Sequence, residues 1–175
     1  MKARPVHCLP IALLLIFLFS IPTVASPPTT GKVTQVKDGD TVVISPIEGG
    51  QFFICRLYGI DDPETPKNGK SGQPYGEEST KELKKLILGQ EVSIEIRDRD
   101  KYNREVCVIR KDGKDINLEM INRGAARAYR KYLKPPYASE YIDAESMARG
   151  KGLGLWLQRS PEPPREFREK VERGR

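Results

Sequence analysis

Histidine is all but absent from this chain. Of 175 residues only His7 carries an imidazole, and it falls in an N-terminal segment that reads as removable. Without it, Ser-His-Asp and Cys-His catalysis, histidine general bases and the usual zinc sites are excluded. Cysteine is scarce too, with only Cys8, Cys55 and Cys107. Two cysteines without histidine make a poor metal site. Cys55 and Cys107 are therefore either one disulfide, if their strands are neighbours, or two buried thiols. There is one tryptophan, and the longest apolar run is shorter than the roughly 20 residues needed to cross a bilayer. Collagen, coiled coil and multi-span membrane protein are excluded by composition. Chemistry must come from carboxylates, arginine, lysine, tyrosine or a hard metal ion.

Hydrophobic residues make up 38% of the chain and charged residues 31%, enough for one modest core. The formal charge of +6 suggests a polyanionic partner. Lys2 and Arg4 precede an apolar run at 9–21, Pro22 breaks it, and Thr23-Val24-Ala25 supplies small residues. Residues 1–25 thus read as a signal peptide, predicting a secreted or periplasmic protein without stable membrane association. Its removal takes away Lys2 and Arg4 and no acid, lowering the charge from +6 to +4.

Residues 26–30, with Pro27-Pro28, read as a linker. Short strands are expected at 32–36, 41–44, 51–57, 91–97 and 104–110. In the fourth, Val92, Ile94 and Ile96 alternate with polar residues. Helices are expected at 76–88, 117–123 and 139–149, the first from the stripe Leu83, Leu86 and Ile87. Residues 61–75 form a long loop rich in proline and glycine, a length that is usually functional or mobile. Five mainly antiparallel strands with a helix between the third and fourth give an α+β class, a five-stranded OB-fold barrel with three α-helices. The folded domain is read as residues 31–158. Residues 159–175, dense in proline and alternating charge, are read as a disordered or weakly helical tail outside the fold.

Two acidic clusters flank the third strand: Asp38-Gly39-Asp40-Thr41 and Asp61-Asp62-Pro63-Glu64. Taken alone, the first is a hairpin turn and the second a solvated loop start. If strands 41–44 and 51–57 pair, Asp40 and Asp61 converge at one rim, where carboxylates and backbone carbonyls make a pocket for Ca2+ or Mg2+. Arg56 lies in an otherwise apolar strand and needs an anionic partner, either one of these acids or a phosphate. Arg104 follows Asp100-Lys101-Tyr102-Asn103 at a strand start. A metal ion and two arginines can neutralise a phosphoryl centre while Glu64 orients or deprotonates water, which is phosphodiester hydrolysis without histidine.

The runs Asp38-Gly39-Asp40-Thr41-Val42-Val43-Ile44 and Arg56-Leu57-Tyr58-Gly59-Ile60-Asp61-Asp62-Pro63-Glu64, with Asp100-Lys101-Tyr102-Asn103-Arg104, closely resemble the staphylococcal nuclease (thermonuclease) family. The resemblance covers roughly residues 31–157. It implies an OB-fold enzyme that cleaves DNA and RNA with Ca2+, breaking P–O5′ to leave 3′-phosphate ends. It also implies metal binding by Asp40 and Asp61, with a backbone carbonyl from Asp62, and phosphate binding by Arg56 and Arg104. Glu64 is the implied general base, and Tyr129 and Tyr132 the implied nucleotide-packing residues. Asp62 departs from the family's usual threonine or alanine, adding a carboxylate beside the metal. A monomer is expected. Two other readings fit the same fold. One is a catalytically silent OB module that binds nucleic acid or protein, disfavoured by the presence of Asp40, Arg56, Asp61, Glu64 and Arg104. The other is a phosphodiesterase restricted to nucleotides or short oligonucleotides.

Overall fold

The computed structural model describes residues 29–67, 69 and 71–174. The expected signal segment, with His7 and Cys8, lies outside the described residues. So do residues 26–28 of the expected linker, whereas Thr29 and Thr30 already belong to the first strand, β1 (Thr29–Asp38). β2 (Thr41–Pro46) and β3 (Phe53–Leu57) follow as an antiparallel meander. β4 (Ile60–Asp61), α1 (Gly76–Ile87), β5 (Glu91–Arg99), β6 (Glu105–Lys111), β7 (Lys114–Asp115) and α2 (Ile116–Asn122) come next. β8 (Arg127–Ala128), α3 (Tyr137–Gly150), a 3-10 turn (Gly154–Leu157) and α4 (Pro164–Arg173) complete the chain.

The strand order β3-β2-β1-β5-β6 closes on itself through a parallel pairing of β3 with β6, in which Arg56 faces Val106. The fold is thus the expected α+β barrel of five principal strands, with short extra strands and one more α-helix than the three expected. Closure removes the unpaired edges that an open sheet would expose. Inside lie Val33, Val42, Ile44, Leu57, Ile94 and Ile109, all essentially inaccessible. Leu83 and Ile87 of α1 cover β1, as their spacing predicts. Tyr141 of α3 is fully buried, and its hydroxyl donates to Asp115.

The alternation read in β5 holds only in part. Val92 and Ile94 are buried, but Ile96 is 48% exposed, because a bulge between Ile96 and Asp98 turns the strand end outward. The two cysteines sit on neighbouring strands, inaccessible to solvent, and are joined as a disulfide with Cα atoms 6.0 Å apart. Asn117 stitches the same seam. Its side-chain amide donates to the carbonyls of Tyr58 and Cys107 at 3.0 and 2.9 Å and accepts from Ile109 N–H at 3.1 Å. A buried amide so fully paired holds β6 to the turn after β3.

Gly124 ends α2 at φ 65° and packs backbone to backbone against Gly154, and Leu155 N–H donates to the Gly124 carbonyl at 2.9 Å. A Cβ there would meet the Leu153 carbonyl directly. Gly124→Ala should therefore destabilise the fold by about 2–4 kcal/mol through backbone strain and steric clash. Urea denaturation checks this; an unchanged midpoint would show that the 153–156 segment can move aside.

Candidate active site

The β1–β2 hairpin sets Asp38 opposite Thr41 with Gly39 and Asp40 as its tip. The turn reading of these residues therefore holds. Gly39 has no room for a side chain: its N–H donates to Asp62 Oδ2 at 2.8 Å, and Ser79 closes the other side. Asp40 is 1% exposed and is fixed by Thr41, whose hydroxyl donates to Oδ1 at 2.7 Å. Across the β2–β3 pairing, Arg56 faces Thr41. Its guanidinium spans two acids, donating through Nη1 to Asp40 Oδ1 at 2.8 Å and through Nη2 to Asp61 Oδ1 at 3.1 Å. Arg56 thus meets the anionic partners that its place in an apolar strand requires.

Of the four neighbouring aspartates Asp38, Asp40, Asp61 and Asp62, Arg56 bonds only Asp40 and Asp61. Oxygens of Asp38, Asp40 and Asp62 lie within 4.8 Å of one another. Burial pushes Asp40 up, but the Arg56 charge and hydrogen bonds from its neighbours outweigh it and hold the group below its ordinary value. Burial, then Asp40 and Asp38, drives Asp62 well above the carboxylate range. Asp38 is raised to about 7 by burial and by Asp40. Asp61 is raised chiefly by burial, against the pull of arginine charges. Burying so many acids with so few cations is unfavourable unless protons or a metal ion balance them.

A metal ion fits the donors present. Asp40 Oδ2 is buried and accepts no hydrogen bond, although Arg56 Nη1 is 2.7 Å away. The surrounding ligands are oxygen, as hard divalent ions prefer. Whereas the expected ligands are the Asp40 and Asp61 carboxylates with the Asp62 backbone carbonyl, the carboxylates of Asp38, Asp40 and Asp62 form a close oxygen trio. Asp61 lies beside it, with its oxygens turned to arginine. Asp38 had been legible only as a turn residue, because an aspartate that caps a hairpin and one that lines a metal pocket look alike in sequence.

Glu64 follows β4 on the 61–75 loop. Gln73 pins it in both directions: Glu64 N–H donates to Gln73 Oε1 at 3.1 Å, and Gln73 N–H donates to the Glu64 carbonyl at 2.7 Å. The Glu64 carboxylate is about a third exposed and lines a cavity beside α4. It is held by Arg168 Nη1, while Arg168 Nη2 donates to both oxygens of Asp61 at 3.0 and 3.2 Å. Arg168 belongs to α4, so the tail expected to lie outside the fold is an ordered helix with a side chain in the site. The available signal was Pro163-Pro164 followed by the apolar pair Phe167 and Val171 one turn apart.

Arg104 precedes Glu105, which pairs with Cys55 beside Arg56. Its guanidinium is engaged by Asp100, with Nε donating at 2.7 Å, rather than by the acidic cluster. Tyr129 and Tyr132 stack edge to face with ring centroids 4.9 Å apart, and Tyr132 is half exposed. Tyr129 N–H donates to the Gly59 carbonyl at 2.7 Å, which anchors the pair next to β4. The structure therefore gathers Asp40, Arg56, Asp61 and Asp62 tightly, joins Glu64 to them through Arg168, and leaves Arg104 and the tyrosine pair with other partners.

The family model for staphylococcal nuclease homologues matches residues 54–158. An "Uncharacterized endonuclease" of Haemophilus influenzae is 33% identical over 139 residues, covering 79% of this chain and 72% of the relative. An "Uncharacterized endonuclease" of Escherichia coli is 33% identical over 152 residues, covering 86% of this chain and 92% of the relative. A "Probable endonuclease LCL3" of Verticillium alfalfae is 32% identical over 171 residues, covering 81% of this chain and 60% of the relative.

Proposed function

The chain belongs to the staphylococcal nuclease homologue family, as a nuclease-type hydrolase, and from that premise we propose that it is a secreted, Ca2+-dependent nuclease acting on DNA and RNA. The observation that carries the metal dependence is the oxygen cluster of Asp38, Asp40 and Asp62, whose carboxylate oxygens lie within 4.8 Å of one another. Asp40 and Asp61, with the main chain of Asp62, would hold the ion, and the Asp38 carboxylate stands beside them. When bound, the ion supplies positive charge to the phosphoryl oxygens as negative charge builds on them.

The chain's own residues supply the rest. Arg56, already fixed at the rim by Asp40 and Asp61, offers donors to the phosphate. Arg104 exchanges Asp100 for the phosphate when substrate binds. Glu64 orients the attacking water and takes its proton. The water oxygen bonds to phosphorus and the P–O5′ bond breaks. The 5′-oxygen leaves and takes a proton from solvent water, and the 3′-phosphate stays on the other fragment. Tyr129 and Tyr132 offer aromatic faces to a splayed nucleotide, a contact that tolerates any base. The enzyme acts as a monomer. Export agrees with the paired Cys55 and Cys107, since disulfides persist in oxidising compartments. Among the described residues no helix is long and apolar enough to cross a membrane.

A plasmid-nicking assay on purified mature protein tests this reading. Nicking with Ca2+ that stops on chelation, with 3′-phosphate ends on the fragments, is the expected result. Intact plasmid under saturating Ca2+ would leave the alternative of a silent OB-fold binding module. Cleavage of dinucleotides with long substrates left intact would favour the narrower phosphodiesterase.

A further inference from the structure

The C-terminal helix carries a cation into the site described above. Arg168 donates to both oxygens of Asp61 and to Glu64, and Arg56 shares Asp61 Oδ1 at 3.1 Å. Both carboxylates are thereby engaged, and the Arg168 guanidinium, though disfavoured by burial, is held above its ordinary value by Asp61 and Glu64. An ion bound through oxygens at about 2.3–2.6 Å needs lone pairs that Arg168 now uses. The two cations exclude one another at Asp61.

The helix docks through the same loop that carries the catalytic carboxylate. Gln73, which pins Glu64, also donates through Nε2 to the Glu162 carbonyl at 3.0 Å, and Arg127 donates to the Pro161 carbonyl. The docking is nevertheless light. Pro164 is the one buried residue of α4, Phe167 and Val171 are half-buried, and a cavity of about 230 Å³ lies between the helix and Glu64, Thr65, Lys67 and Ser71. An element with little apolar burial and a few charge-assisted bonds opens at low free energy.

We propose that α4 is an intrinsic latch on the active site: Arg168 holds the place of a cation between Asp61 and Glu64, and divalent metal displaces it and releases the helix. The inference rests on the metal-dependent reading above. A latch closed in nine molecules of ten weakens apparent metal affinity about tenfold, because only the open fraction binds. The same displacement returns Glu64 to solvent, so the metal site and the water-orienting carboxylate become available together.

Titration calorimetry with CaCl2 on the full mature chain, its Arg168→Ala variant and an Arg173→Ala variant separates the outcomes. Arg173 is exposed at the helix end, so its replacement removes the same charge without touching the site. Arg168→Ala should bind Ca2+ about tenfold more tightly, and Arg173→Ala as the parent does. Hydrogen exchange on the parent should show that saturating Ca2+ strips protection from the amides of 164–173. Equal Ca2+ affinity in all three proteins, or α4 amides that stay protected at saturation, overturns the latch and leaves the nuclease reading standing. Absence of Ca2+ binding in every protein up to about 10 mM, beyond the millimolar range of weak extracellular sites, removes the metal reading and the latch with it.

Discussion

Replacing Arg56 with alanine should lower kcat/KM by about 10²–10³-fold and, in the absence of metal, destabilise the protein by about 3–5 kcal/mol. Arg56 is the strand-borne cation that bridges Asp40 and Asp61, and only 18% of its side chain is exposed. Removing it leaves buried carboxylates facing one another. The pH dependence follows from Asp40, whose native value is held below 3.8. A carboxylate lowered in the folded state contributes stability above its unfolded pKa, and that contribution is lost as pH falls through the folded one. The variant should accordingly be most destabilised near neutral pH and approach the parent's stability as pH drops toward and below 4. Saturating Ca2+ should restore much of the stability but not the activity, since an ion can replace the charge at Asp40 without supplying donors to the phosphate. Denaturant curves at pH 7 and pH 4, with and without Ca2+, alongside steady-state kinetics, make the comparison. A variant as stable as the parent in chelator would show that the acids do not depend on Arg56 for balance.

The barrel was legible because its determinants are local. Alternation in 91–97, β-branched residues at 41–44 and turn residues between them specify strands and their faces, and the β2–β3 hairpin then brings Asp40 and Asp61 toward Arg56 without further information. What escaped was long-range or ambiguous. The parallel β3–β6 closure joins segments some fifty residues apart, and β4 and β8 are two residues each, too short for any periodicity. The exposure of Ile96 follows from a bulge, which a period-two pattern does not anticipate. Asp38 was hidden by its second role as the hairpin's first residue. The disulfide had to stay open because pairing depends on which strands are neighbours.

α4 shows the limit most clearly. In isolation its ten residues hold only Phe167 and Val171 as large apolar groups, among alternating charges that a solvated tail would also carry. Its order comes from tertiary partners, Asp61, Glu64 and Gln73, that lie about 90–105 residues earlier, and local composition holds no record of them. An arginine in a charge run gives no sign that its partners are Asp61 and Glu64.

Glu64→Gln is the sharper test of the chemistry, with kcat expected to fall by about 10²–10⁴-fold and KM to stay within about threefold. The amide keeps the shape and the backbone bonds to Gln73 but can no longer take a proton from water. It also weakens one of the two carboxylate anchors of Arg168, leaving Asp61 as the other. The substitution thus acts on two properties in opposite directions: turnover falls because the base is gone, while Ca2+ affinity rises because the cation that competes for Asp61 is held less firmly. Loss of an ordinary metal ligand lowers both together, and general loosening of the loop raises KM. Single-turnover cleavage rates and calorimetric Ca2+ titrations on the same preparation distinguish these cases. A variant that retains the parental rate would place proton removal elsewhere, and one that loses Ca2+ binding along with activity would make Glu64 a ligand rather than a base.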